Sequence, residues 1–176
     1  MLKNLVLIGF MGTGKSTIGR QLSKTLGYPV IDTDTQIESN EDRPIADIFA
    51  NEGEPHFRQL ETQILQQLLT NNTHKHIIST GGGIITRPEN LPLLRDLGFV
   101  IWLVAKPETI LERTSRNKDR PLLNNKNPED TVRNLLQQRE PLYAQAAHLS
   151  LETTGLTFSE ITTGIIESAR YHYGNG

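Results

Sequence analysis

Three groups of residues in this sequence have the types and spacing to do chemistry. Gly9-Phe10-Met11-Gly12-Thr13-Gly14-Lys15-Ser16 follows the pattern G-x-x-x-x-G-K-[ST], with an apolar, strand-like run before it and a helical run after it. Glycines at 9, 12 and 14 let successive backbone N–H groups face an anion, and the N-terminus of the following helix adds about half a positive charge. In such a loop Lys15 reaches the β and γ phosphates of a nucleoside triphosphate, and the Ser16 hydroxyl ligates Mg²⁺. Gly12, Thr13, Gly14, Lys15, Ser16 and Thr17 are the candidate nucleotide contacts.

The second group is Asp32-Thr33-Asp34. The strand at 77–79 leads into Thr80-Gly81-Gly82-Gly83 without the carboxylate that usually follows a Walker-B strand, so the metal's carboxylate comes from elsewhere. Residues 32 and 34 of an extended chain project to one side. That spacing puts Asp32 near Mg²⁺, directly or through water, and Asp34 farther out as proton acceptor for an attacking hydroxyl. The structural alternative is that Asp34 or Thr35 caps the next helix, with Thr35-x-x-Glu38 as a capping box. No Asn-Lys-x-Asp guanine reader is present: Asn117-Lys118-Asp119-Arg120 and Asn125-Lys126-Asn127-Pro128 both miss it.

The third group is arginine. A small anionic polyol is gripped by a planar bidentate donor, which arginine is and lysine is not. Arg58 also has Glu61 one helical turn away as a plain ion-pair partner. Arg139, two residues before Pro141, also fits as the favourable cation at a helix C-terminus. Arg120 stands in a polar loop beside Asp119, where it fits a lid that closes over phosphates. His74-x-His76 marks an exposed strand entry better than a metal site, and Trp102 sits in an apolar strand as a core residue.

These groups need a frame. The chain has 176 residues, 36% apolar and 22% charged, with no cysteine, so it is expected to fold as one domain over 1–176 without disulfides or thiolate chemistry. Eighteen Lys and Arg against twenty Asp and Glu give a net charge of -2, which repels a polyanion overall and makes any anion site local. No nucleic-acid partner is expected. No run approaches the ~20 apolar residues of a membrane span, and the cytoplasm is the expected location. Short strands are predicted at 5–8, 30–31, 76–79, 99–104 and 149–151. The helices between them are predicted at 16–26, from Phe57 to about 71, at 88–97, 108–114 after Pro107, 131–139 after Asn127-Pro128, and 158–171. This alternation predicts an α/β sandwich around a parallel sheet, whose C-terminal edge carries both the phosphate loop and Asp32-Thr33-Asp34. Residues 116–127 read as a surface loop.

Gly9 to Ser16, Asp32-Thr33-Asp34, Phe57-Arg58 with Glu61, Gly81-Gly82-Gly83, Arg120-Pro121-Leu122-Leu123 and Arg139-x-Pro141-Leu142-Tyr143 resemble the shikimate kinase family in order and spacing. The resemblance spans nearly the whole chain. It implies a P-loop kinase fold, a three-layer sandwich with a five-stranded sheet in the order 2-3-1-4-5. It also implies a substrate-binding excursion over 33–61 and a lid over 114–127. The implied reaction moves the γ-phosphoryl of ATP, with Mg²⁺, to the 3-hydroxyl of shikimate on the route to aromatic amino acids, in a monomer. Carried over by position, Asp34 holds substrate hydroxyls and acts as base, Arg58 and Arg139 grip the carboxylate, and Gly81, Gly82 and Gly83 lie against the ring. Arg120 belongs to the lid, and Arg113 stands beside adenine. The chain departs from the family at Leu151-Glu152-Thr153-Thr154-Gly155, where the adenine-side loop usually begins with aspartate. A gluconate or nucleoside monophosphate kinase on the same scaffold, and a noncatalytic nucleotide-binding module, are the rival readings.

Overall fold

The computed structural model describes residues 3–115 and 127–174. Of the expected lid over 114–127, residues 116–126 lie outside the described residues, Arg120 among them.

The strands are β1 (Asn4–Ile8), β2 (Val30–Asp32), β3 (Ile77–Ser79), β4 (Gly98–Val104) and β5 (Leu149–Glu152). They form one five-stranded parallel sheet in the order β2-β3-β1-β4-β5, which is the expected order. All of β1 is buried, as a strand covered on both faces must be. Its side chains alternate between two cores. Leu5 and Leu7 pack with Ile77, Phe99 and Ile101 against α1 (Lys15–Leu26) and α7 (Phe158–Gly174), through Ile18, Leu22 and Ile165. Val6 and Ile8 pack with Ile78 and Val100 on the other face. There they meet α3 (Ile45–Thr70), α4 (Asn90–Leu97) and α6 (Pro128–Ala146), through Ile64, Leu65, Leu94 and Tyr143. Trp102 is partly buried against this second core and stacks on Tyr143. The remaining helices are α2 (Thr33–Glu41), directly after β2, and α5 (Pro107–Ser115), which packs Ile110 beside Phe10 of the phosphate loop.

Two helices differ from expectation. The stripe beginning at Phe57 predicts a helix from there onward, yet helical backbone begins at Ile45, because Ile48 is buried and Ile45 and Phe49 pack on the same core. Gly53, at φ 81° and ψ 175°, breaks the path between the two halves, with Pro55 just after it. Helix α6 does not stop at 139 but runs through Pro141 to Ala146, since Tyr143 and Ala146 are fully buried and their packing outweighs the hydrogen bond proline forfeits. Among the described residues no helix is long and apolar enough to cross a membrane.

Candidate active site

The phosphate loop joins β1 to α1. Gly9, Gly12 and Gly14 have φ of 142°, 78° and 98°, and at Gly9 a Cβ would stand 2.5 Å from the Leu103 carbonyl oxygen. Only glycine takes this path without strain. Gly14 is the N-cap of α1 and no side chain caps that end, which leaves the helix terminus open toward an anion. Lys15 Nζ donates to the carbonyls of Gly9 at 2.7 Å and Phe10 at 2.9 Å, so the ammonium stands over the loop. Thr13 behaves differently from its neighbours. It is buried, its hydroxyl and its N–H both donate to the Phe10 carbonyl, and it shapes the loop from inside instead of facing the cavity.

A cavity of about 380 Å³ lies over the loop. Gly12, Gly14, Lys15, Ser16 and Thr17 line one wall, and Asp32, Asp34, Gly81, Gly82 and Arg113 complete it. Arg113 Nη1 donates to the Gly12 carbonyl at 3.1 Å, which ties α5 to the loop. A larger cleft, about 630 Å³, is lined by Phe99, His148, Tyr171 and His172 among others, but no lysine, arginine or glycine faces it. Chemistry, not volume, selects the smaller one.

Residues 32 and 34 do not share a face of an extended chain, because the chain turns helical at Thr33. Asp32 is the N-cap of α2, its Oδ1 accepting from the N–H groups of Asp34 and Thr35 at 3.1 and 3.3 Å. Neither Asp34 nor Thr35 is the cap, and no capping box forms: Glu38 Oε1 instead accepts from the Ile45 N–H at 2.9 Å. Asp34, in the first turn of α2, is free of capping duty and faces the glycine run. Its Oδ1 is buried without a hydrogen-bond partner. Burial, helped by the charge of Asp32, pushes its carboxyl up to about 6, against the pull of Lys15 and Arg58.

Arg58, on the face of α3 turned to the sheet, is clasped by two carboxylates: Nη1 by Glu61 Oε2 at 2.7 Å, Nη2 by Glu54 Oε1 at 2.7 Å. Burial works against its charge, but Glu61 and Glu54 more than offset this and raise its pKa. Its guanidinium lies directly on Gly83, where a Cβ would come within 2.3 Å of it. Glu61 has no exposure at all, and its second oxygen, Oε1, lacks a partner. Burial raises its pKa, and Arg58 limits the rise. A Cβ on Gly81 would meet Glu61 Oε1 at 2.7 Å and Asp34 Oδ1 at 2.8 Å, so two orphan carboxylate oxygens flank one backbone atom. Spacing pairs Glu61 with Arg58, a contact that also orients the guanidinium. The approach of Glu61 to Asp34 is a tertiary contact that spacing does not reveal.

Arg139 is not at a helix end. It lies within α6, 6% exposed, with Nη1 3.4 Å from the Gly82 carbonyl oxygen and its guanidinium over the Phe10 ring at 5.6 Å. Gly82 in turn sits on the phosphate loop, where a Cβ would be 3.2 Å from the Met11 nitrogen. The glycine run is thus a seam that touches the loop through Gly82 and both arginines through Gly83 and the Gly82 carbonyl, with Arg139 also lying over Phe10 of the loop.

A family model described as shikimate kinase matches residues 11–170. This chain belongs to the shikimate kinase family. Among relatives in that family, the shikimate kinase of Caldanaerobacter subterraneus subsp. tengcongensis is 40% identical over 167 residues, 95% of this chain and 96% of that protein. The one from Symbiobacterium thermophilum is 42% identical over 166 residues, 93% and 94% of the two chains. In structure, the shikimate kinase from Acinetobacter baumannii in complex with shikimate superimposes with a TM-score of 0.90 at 38% identity, covering 99% of this chain and 95% of that one.

The residues present suit the group that family members need. Ser16 and Asp32 bring a hydroxyl and a carboxylate to one cavity, and among the described residues no cluster of three or more acidic or histidine side chains competes for a metal. A small set of hard oxygens is what Mg²⁺ takes from a protein when phosphates and water fill its remaining positions.

Proposed function

We propose that this chain transfers the γ-phosphoryl of ATP to the 3-hydroxyl of shikimate, giving shikimate 3-phosphate and ADP in the chorismate route. The observation that carries the reading is the seam at Gly81–83. One backbone strip touches the phosphate loop through Gly82 and the guanidinium groups of Arg58 and Arg139 through Gly83 and the Gly82 carbonyl. A carboxylate held by the arginines leaves the rest of a small ring over the strip, within reach of the loop.

In this mechanism Gly12, Gly14, Lys15, Ser16 and Thr17 hold the triphosphate through N–H groups, the Lys15 ammonium and the open end of α1, while Thr13 braces the loop from inside. Ser16 and Asp32 hold Mg²⁺, which when bound supplies charge neutralisation on the phosphate oxygens. Asp34 orients the substrate hydroxyl and takes its proton. The hydroxyl oxygen bonds to the γ phosphorus as the bond to the bridging oxygen of ADP breaks. A carboxyl with a raised pKa suits this task better than an ordinary one, because proton transfer to it is less uphill. Arg113 stands beside the adenine, and Arg120 meets the phosphoryl charge. Residues 1–176 act as one domain, with 33–61 as the substrate-binding excursion, in a cytoplasmic monomer.

A coupled ADP-release assay with Mg-ATP tests this. Shikimate is expected to support ADP formation, while gluconate and nucleoside monophosphates are not. ADP release with either of those and none with shikimate selects the rival kinase, and ATP binding without turnover on any hydroxylated acid selects a noncatalytic module.

A further inference from the structure

The run Arg139-x-Pro141-Leu142-Tyr143 contributes only its arginine to the proposed reaction, yet its tyrosine is one of the most deeply placed side chains in the molecule. Tyr143 has no solvent exposure, and its ring stacks on Trp102 with centroids 5.7 Å apart and 20° between planes. Its hydroxyl donates to the carbonyl of Gly82. The same carbonyl faces Arg139 Nη1 at 3.4 Å. Residues 139 and 143 stand one turn apart on one face of α6, which is why both reach one acceptor.

The two donors are unequal. The phenol donates to this carbonyl, whereas the 3.4 Å from Arg139 Nη1 lies at the outer limit of a useful hydrogen bond. Burial drives the phenol's pKa upward, so it stays a donor at any working pH. A carbonyl oxygen has two lone pairs, and the Gly82 one, half-buried at the cavity wall, loses part of its hydrogen bonding when left without a protein donor. If Arg139 were the sole donor to Gly82, turning it toward a substrate carboxylate would strand that carbonyl. It would also loosen the strip that rests on the phosphate loop near Met11.

We propose that Tyr143 is a positioning residue for substrate binding: by holding the Gly82 carbonyl it frees Arg139 to engage the substrate carboxylate and keeps the glycine strip seated on the phosphate loop. This rests on the reading that Arg139 grips that carboxylate. It assigns the tyrosine no contact with the reacting atoms.

Tyr143→Phe keeps the ring and its stacking and removes only the hydroxyl. Arg139, which also contacts the phenol oxygen, loses that contact and must then stay on Gly82 or leave it unpaired. The expected result is a rise of about five- to tenfold in the shikimate Kd and KM, with kcat and the KM for ATP held within about twofold. Quenching of Trp102, the single tryptophan of the chain, reports the Kd. Arg139→Met, which has no donor, weakens shikimate binding but keeps the ATP Kd within about twofold, because Tyr143 alone still holds Gly82. In the double variant the two shikimate effects do not multiply, and ATP affinity now falls by about tenfold or more, since Gly82 has lost both donors.

Three results overturn the inference: Tyr143→Phe weakening ATP and shikimate alike, as a merely structural residue would; independent, multiplying shikimate effects in the double variant; or Arg139→Met alone unseating ATP. The last is decisive even if Tyr143→Phe does not fold. Wild-type protein that binds no shikimate would sink the functional reading and this inference with it. Wild-type protein that binds shikimate while the variants give any of those three results sinks the inference alone.

Discussion

Asp34 shows how a single side chain trades stability for chemistry. Its Oδ1 has no hydrogen-bond partner, and burial lifts its pKa from the ordinary 3.8 to about 6. As a base it works only when ionised, so kcat is expected to fall as pH drops through about 6 and to level off above it, read from a kcat-against-pH profile. Asp34→Asn is expected to keep ATP binding while kcat falls by about 10²- to 10⁴-fold, and retained turnover would exclude the base role. The stability effect has the opposite sign to that of a salt-bridged carboxylate. Because the folded pKa is the higher one, the folded state binds the proton more tightly; that advantage is full below pH 3.8 and is lost as pH rises through about 6. Above that, the buried charge costs roughly 1 to 3 kcal/mol. Urea unfolding is therefore expected to find Asp34→Asn more stable than wild type at pH 8 by about that amount, with the difference vanishing near pH 4.

At the scale of elements, the start of α2 carries two jobs on one residue. Asp32 caps the helix and is the candidate metal carboxylate, and the two roles respond differently to substitution. Asparagine caps about as well as aspartate but lacks the charge, whereas alanine does neither. Asp32→Asn is expected to unfold at the wild-type urea midpoint while needing more Mg²⁺ for half-maximal rate. Asp32→Ala is expected to lose about 0.5 to 2 kcal/mol as well. Equal Mg²⁺ requirement in Asp32→Asn and wild type would leave Asp32 as a cap only. The same scale explains where sequence patterns misplace boundaries. Gly53 and Pro141 are breakers by local rule; Gly53 does interrupt the helical path, but the half before it still forms because Ile48 is buried, and Pro141 is passed through because Tyr143 and Ala146 are buried.

The whole molecule has two ends with different pH behaviour. The phosphate loop follows the C-terminal end of β1, while His148 stands just before β5, its Nδ1 accepting from the Val100 N–H at 3.0 Å and its ring stacked on Phe99. Burial, then the charges of Arg95 and His172, push its pKa from 6.5 down to about 4. As pH falls below 6.5 the unfolded chain takes the proton first, so stability drains between about 6.5 and about 4. Asp34 contributes in the reverse direction over an overlapping range, which makes the two variants complementary. His148→Gln is expected to flatten the acid-side loss in urea midpoints while leaving kinetics for both substrates unchanged. An unaltered slope would show that the ring is solvated when the protein is folded.

By itself the sequence determined the local features. Spacing of glycines and Lys15 made the phosphate loop, and short β-branched runs between periodic stretches made a parallel α/β sheet. The motifs in their order brought Asp34, Arg58, Gly81 to Gly83 and Arg139 into one expectation. These are legible because φ preference and side-chain period act over a few residues. Tertiary structure alone decided that Thr13 faces inward, that Asp32 and not Asp34 is the cap, that Glu61 and Asp34 flank Gly81, and that Tyr143 and Arg139 share the Gly82 carbonyl. Those facts join residues up to 61 positions apart, and such distances are fixed by strand register and helix packing, which no local pattern encodes.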